Sequence, residues 1–279
     1  MDKMPLPKMP LSRWIDDGLN YLTDNYSYIT KAISDNVENG INWFADKILF
    51  FPPWVIIIVL ALLAWWISGR KVGLFTLFGL ALIWNLGLWK VTISTLSLVL
   101  AATIVAVGLG VPLGILAALK RGFHKVIMPI LDFMQTMPAF VYLIPAIPFF
   151  GLGIVSAMFA TVIFAMPPSI RLTSLGIKQV PDELIEAADA FGSTSFQKLL
   201  KIQLPLATPT IMTGVNQTIM LSLSMVVIAA MIGAAGLGGE VLRAIQRFQP
   251  GKGFEAGIGV VILAIILDRI TQRVGRKEE

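Results

Sequence analysis

The chain reads as an all-α polytopic membrane protein, and three observations predict this. Of its 279 residues, 56% are hydrophobic and only 14% are charged, with a mean hydropathy of +0.78; soluble domains carry about 25% charged residues. Uncharged stretches of bilayer-spanning length recur along it, a hydrocarbon core of ~30 Å taking about 20 helical residues to cross. Basic residues gather in the short segments between those stretches, as they do in the retained loops of membrane proteins. Such a composition excludes a soluble enzyme.

The first element is amphipathic. Within residues 1–47, apolar side chains recur in steps of three and four at Leu11, Trp14, Ile15, Leu19, Leu22, Tyr26, Ile29, Ile33, Val37, Ile41 and Phe44, the spacing of one helix face. The opposite face holds Asp16, Asp17, Asp24, Asp35, Glu38 and Asp46. This acidity disfavours anionic lipid and leaves an interfacial scaffold or a protein-contact face. Residues 1–50 hold five basic and seven acidic residues, and residues 51–279 hold seventeen and ten.

Crossings follow. Residues 48–69, 72–89 and 91–119 are free of charge between Lys47, Arg70, Lys71, Lys90 and Lys120, and each reads as one span. Residues 126–170 contain a single charge, Asp132, and are too long for one helix; Gly151 and Gly153 offer a turn, giving two crossings joined by a hairpin. The run 202–239 reads as one crossing or a hairpin, and the apolar stretch 256–267 is short. With Arg70 and Lys71 inside, the loop carrying Lys120, Arg121 and Lys125 and the loop carrying Arg171, Lys178, Lys198 and Lys201 also fall inside. The sides of the last two loops depend on run 202–239, and charge leaves that open. Trp54, Trp65, Trp66, Trp84 and Trp89 sit where interfacial aromatic belts belong.

Chemistry-bearing residues are sparse. With no cysteine there is no disulfide, thiolate nucleophile or Cys-ligated metal. The single histidine, His124, lies in the basic run Lys120, Arg121, His124, Lys125 and rules out two-histidine metal motifs. Neither a G-x-S-x-G elbow nor a phosphate loop is present, so any nucleotide hydrolysis belongs to another chain. A net charge of +5 on so apolar a chain points to membrane lipid rather than nucleic acid. No signal peptide is visible, because the first long apolar run begins at Ile48, behind an acidic segment.

Residues 179–205 are the most informative polar stretch. Pro181 suits a first helical position, and Asp182, Glu183 and Glu186 favour the positive end of a helix dipole. Gly192 can take a left-handed cap, Thr194 and Gln197 form a capping box, and the second helix is expected to end before Pro205. This stretch resembles the E-A-A, three residues, G, nine residues, I-x-L-P signature of the membrane-spanning subunits of binding-protein-dependent ATP-binding-cassette importers. Its residues are Glu186, Ala187, Ala188, Gly192, Ile202, Leu204 and Pro205, with every spacing matched. Met134–Pro145, Phe164–Pro168 and Ser224–Ala230 are similar to the members that import glycine betaine, proline betaine, carnitine or choline.

The resemblance runs from about residue 90 to residue 270 and implies a MetI-like permease core, with two peripheral helices over 48–89, a cytoplasmic coupling loop over 171–205 and a cytoplasmic tail over 271–279. It implies about seven transmembrane helices in the bacterial cytoplasmic membrane, with the N-terminus outside and the C-terminus inside. The partners it implies are two copies of an ATPase that docks on the loop, a second copy of this permease, and an extracytoplasmic substrate-binding protein. No cofactor is expected on this chain, ATP being used by the ATPase.

Segment 126–150 carries Pro129, Pro138, Pro145 and Pro148, each of which removes a backbone hydrogen bond and frees a carbonyl. Broken helix at membrane depth is tolerated against protein or a water-filled cavity, so Asp132, Gln135, Pro138, Phe140, Tyr142 and Pro145 are candidate pathway residues. The bland reading of Asp132 is an interfacial ion pair near Lys125. Phe140, Tyr142, Phe149 and Phe150 could offer ring faces to a quaternary ammonium or serve as belt residues. Gly110 with Gly114, and Gly253 with Gly257, fit close helix packing. The rival class is an ion-coupled secondary transporter or a channel, which needs intramembrane coupling residues; Asp132 and Asp268 are those available.

Overall fold

Phe51 and the Pro52–Pro53 pair end the first helix and begin the second. The computed structural model describes residues 10–275, so residues 1–9 of the N-terminal segment and 276–279 of the expected tail lie outside the described residues. Helix α1 (Leu11–Phe50) runs three residues beyond Lys47, into the stretch expected to cross first, and α2 (Pro53–Ser68) leaves it at 101°. Charge counting is blind to this corner, which arises because Phe51 and Pro52 each precede a proline and take extended backbone, ψ 146° and 139°, and Pro52 lacks the N–H that would continue α1. Gly69, at φ +88°, turns α2 back into α3 (Arg70–Asn85).

A long helix, α4 (Trp89–Leu119), is followed by α5 (Arg121–Thr136). Met137–Pro138 breaks that helix, a 3-10 turn over Ala139–Tyr142 follows, and α6 (Leu143–Phe150) leads to the Gly151–Gly153 turn. The expected hairpin position holds, but its first arm is bent by 112° at the break and is not a single straight crossing. α7 (Ile154–Lys178) is continuous, so residues 171–178 of the expected loop are the last turns of this helix. After α8 (Asp182–Ala190) and α9 (Ser195–Lys198) the chain enters α10 (Leu204–Ala229), one unbroken helix where the charge pattern left a hairpin open. Then come α11 (Leu237–Gln246) and α12 (Pro250–Gly275), the last much longer than the apolar stretch 256–267.

Among the described residues, three helical runs are long and apolar enough to cross a membrane: Trp89–Leu119, Ile154–Lys178 and Ser195–Ile232. The number reaches five if each bent pair makes one span. α2 and α3 fall short because 16 residues rise only about 24 Å.

α4, α7 and α10 form the centre. Their contact is set by absent side chains: a Cβ on Gly114 would lie 2.6 Å from the Ile170 carbonyl oxygen and from Thr173 Cβ, and one on Gly110 would lie 2.8 Å from Ser169 Cβ. On the other side of α7, Gly214 and Gly176 allow α10 the same approach, so the packing reading of the Gly110/Gly114 pair holds. Gly257 of the second pair faces open space. One buried cluster joins Leu98, Ala102 and Ala106 of α4 to Tyr142, Ala157, Met225 and Ala229, with Ile41 of α1 inserted. A second joins α2, α3, α4 and α12 through Ile57, Leu80, Ile83, Trp89, Ile93 and Leu263. Trp89 is thus core, not belt. A polar clasp ties α10 to α12: the Asn216 amide donates to Asp268 at 2.8 Å and the Thr271 hydroxyl donates to Asn216 at 2.7 Å.

Candidate functional site

The loop between α7 and α10 is built from short-range hydrogen bonds. Pro181 caps α8 from outside with ψ 135° and is not its first residue, because its extended backbone precedes the first helical position. Asp182 and Glu183 occupy the first turn, where the helix dipole favours negative charge. The helix ends in a Schellman motif. Gly192, at φ +76°, donates to the Asp189 carbonyl and Ser193 to the Ala188 carbonyl, both at 2.9 Å. The capping box is complete: the Gln197 N–H donates to Thr194 Oγ1 at 3.3 Å and the Thr194 N–H to Gln197 Oε1 at 2.9 Å. Lys198 Nζ reaches Asp189 Oδ1 at 2.6 Å, tying the two helices across the glycine.

The second helix does not end before Pro205. A π turn over Leu199–Gln203 carries it into α10, with the Leu204 N–H donating five residues back to Leu199. A proline at position 205 lacks a donor and crowds the carbonyl of residue 201; widening the preceding turn relieves that crowding without breaking the helix. Of the signature residues, Glu186, Ala187, Gly192 and Pro205 are exposed, Ile202 and Leu204 are half-buried, and Ala188 is buried. Leu204 packs against Ile177, Leu199 and Ala207, so the loop stands on the ends of α7 and α10.

Sequence reasoning missed two residues here. Phe191, 91% exposed, and Phe196, 68% exposed, project from either side of the turn. Apolar periodicity could not flag them, since neither belongs to a stripe, but large exposed aromatics on a polar loop are the residues that anchor protein interfaces.

The candidate pathway residues divide. Asp132, Gln135, Pro138, Phe140 and Pro145 are exposed, whereas Tyr142 is buried at 5%. The Tyr142 hydroxyl donates to the Met134 carbonyl, which lacks the i+4 donor that Pro138 cannot supply and otherwise accepts only a long bond from the Met137 N–H at 3.3 Å, and its ring meets Phe164 edge-on at 5.7 Å. Tyr142 therefore seals the helix break from within and offers no ring face to a ligand. The Phe150 ring lies tilted against those of Phe149 and Phe159, with centroids 6.4 and 4.9 Å away. Asp132 does form an ion pair, but with Arg171 of α7 at 2.6 Å and not with Lys125. Among the described residues, no cluster of His, Asp or Glu could hold a metal ion.

Long apolar helices around a glycine-tightened centre, with a two-helix loop joining α7 and α10, define a polytopic membrane protein of the permease class. Residues 110–278 match the family of binding-protein-dependent transport system inner membrane components, and the chain belongs to that family. It is 52% identical to the glycine betaine transport system permease protein OpuAB of Bacillus subtilis, over 98% of this chain and 97% of that protein. It is also 52% identical to the glycine betaine/carnitine transport permease protein GbuB of Listeria monocytogenes, over 98% of each. Identity to the glycine betaine/proline betaine transport system permease protein ProW of Escherichia coli is 50%, over 96% of this chain and 76% of that protein. The fold resembles a chain of the MetNI methionine ABC transporter in an inward-facing conformation, with a TM-score of 0.61 and 21% identity over 65% of this chain and 91% of that one.

Proposed function

We propose that this chain is the transmembrane permease of an ATP-driven importer for a small quaternary-ammonium osmolyte of the glycine betaine type. Supporting the substrate class are the relatives at about half identity over nearly the whole chain. Supporting the coupling role is one observation above the others: the Schellman turn at Gly192 and the adjoining capping box hold two short helices rigidly, with Phe191 and Phe196 exposed between them. Glu186, Ala187, Ala188, Gly192, Ile202, Leu204 and Pro205 then form the element on which a separate ATPase docks. That ATPase binds and hydrolyses ATP, and this chain holds no cofactor.

α2, α3, α4, the bent α5–α6 segment, α7, α10 and α12 make seven spans, the short α2 and α3 crossing where the bilayer thins locally, with the N-terminus outside, the α8–α9 loop and the C-terminus inside, and α1 as an extracytoplasmic interfacial scaffold. Two copies of the permease, two ATPase subunits and an extracytoplasmic binding protein complete the importer. Closure of the ATPase pair displaces the coupling helices, and because α9 runs through the π turn into α10 while α8 follows α7 after the short turn 179–181, the displacement reorients the spans, nucleotide favouring one state over the other. Asp132, Gln135, Pro138, Phe140 and Pro145, at or beside the helix break, line part of the path, with Tyr142 supporting them from the core. The secondary-transporter reading loses ground because its two carboxylates are engaged, Asp132 by Arg171 and Asp268 by Asn216 and Gln272.

Cross-linking tests the docking. In the cysteine-free background, a cysteine at Phe191 is expected to form a nucleotide-sensitive cross-link with the ATPase, and one at Phe78, exposed on α3, is not. Failure of every position from Phe191 to Phe196 to cross-link in an assembled complex would remove the coupling assignment.

A further inference from the structure

α10 buries three of its sides. Gly214, Thr218, Ser222 and Met225 face the packed centre, and Asn216 turns to Asp268 on α12. On the remaining side lie Thr213, Gln217 and Ser224, all exposed. Spacings of four and seven place them within about 40° of one another on a helix of 3.6 residues per turn, a single line about 16 Å long.

That line does not suit lipid. The run containing α10 is long and apolar enough to cross a membrane, yet near the middle of α10 stands Gln217, whose amide has no hydrogen-bond partner among the described residues. Thr213 and Ser224 donate to the carbonyls of Pro209 and Met220, each at 3.0 Å, and keep free acceptor lone pairs facing outward. An amide without a partner is costly in hydrocarbon, and polar groups at membrane depth face a water-filled cavity or another polar surface. The line also adjoins the broken helix: Met225 and Ala229, beside and one turn beyond Ser224, share a buried cluster with Tyr142, and past that turn Gln135, Pro138 and Phe140 are exposed.

Resting on the importer reading above, we infer that Thr213, Gln217 and Ser224 form a wall of the transport path, running from the helix break toward the coupling loop. The surface holds donors and acceptors but no fixed charge. It therefore suits a zwitterion without net charge, whose carboxylate can accept from the Gln217 amide while its alkylated ammonium meets hydroxyl and amide oxygens. A bound carboxylate or ammonium of this chain would trap such a solute; none stands on the line.

The complete importer, reconstituted in vesicles with single cysteines at Gln217, Ser224 or Phe78, tests this with trimethylammonioethyl methanethiosulfonate, which reacts with thiolates in water. Cysteines at positions 217 and 224 are expected to react at least tenfold faster than the one at 78 in some nucleotide state, to be slowed by glycine betaine, and to lose uptake once modified. Reactivity no greater than at position 78 in every nucleotide state overturns the wall, as does a disulfide between two copies at position 217 without reagent access, which would make the line a contact between permeases. ATP-dependent uptake by the Phe78→Cys importer reports separately on the importer reading: if it fails, that reading fails; if it succeeds while position 217 is inert, only the wall does.

Discussion

Gly192 and Phe248 hold the same place in the same helix-ending pattern. Gly192 (φ +76°) and Ser193 close α8 onto Asp189 and Ala188; Phe248 (φ +52°) and Gln249 close α11 onto Ile245 and Ala244, at 3.2 and 2.8 Å. Glycine takes the left-handed conformation without steric cost, whereas another residue is strained there by roughly 1–2 kcal/mol. One turn is relaxed and the other is held under strain.

At Gly192 that conformational term stands alone, since a Cβ would meet nothing within 4 Å. Gly192→Val should therefore insert and assemble near normally, yet lose substrate-stimulated ATP hydrolysis and uptake together. Gly192→Asn, which tolerates the left-handed region, should recover most of both, and Ser193→Ala should stay near wild type. Co-purification with the ATPase checks assembly. Full coupled transport in an assembled Val variant would show that the turn transmits nothing.

Phe248 is 93% exposed, so its ring contributes no packing within the chain. Phe248→Gly should raise the thermal unfolding midpoint of the isolated permease in detergent, by the equivalent of about 1 kcal/mol. A lower midpoint in the assembled importer only would locate a partner for the ring in the complex.

The Arg171–Asp132 pair ties α7, which leads into the coupling loop, to the helix that breaks at Pro138. With side chains 38% and 64% exposed, the pair contributes at most about 1 kcal/mol to stability, so its loss should appear in transport and not in folding. Asp132→Arg is expected to cut betaine uptake about tenfold with normal expression, and the exchange Asp132→Arg with Arg171→Asp to restore a good part of it. Equal activity of the single variant and wild type would make the pair incidental.

Topology can be read in the cysteine-free background. Cysteines at Ser12 and Gln249 should react with an impermeant maleimide in intact cells, and one at Ser195 only after the membrane is opened. Protection of position 249 until lysis would reverse the proposed side of the α11–α12 turn.

What the sequence made legible was local or compositional. The Gly192 turn and the Thr194–Gln197 box depend on residues at most five apart, and uncharged runs report spans by length alone. Contacts between distant residues were not legible. Arg171 lies 39 residues from Asp132 and was invisible beside the nearer Lys125; the Tyr142 hydroxyl found its role only because the chain bends at Pro138. Pro205 misled for a different reason, because a π turn gives the chain a way past a proline that a rule for α-helix termini omits. The polar side of α10 is likewise hidden until packing shows which faces are covered.

The most direct measurement is radiolabelled glycine betaine uptake into vesicles holding either this permease alone or the complete importer. The account predicts accumulation only in the complete importer with ATP available to the ATPase, abolished by Gly192→Val, and none by the permease alone on any proton or sodium gradient. Gradient-driven accumulation by the permease alone would contradict it.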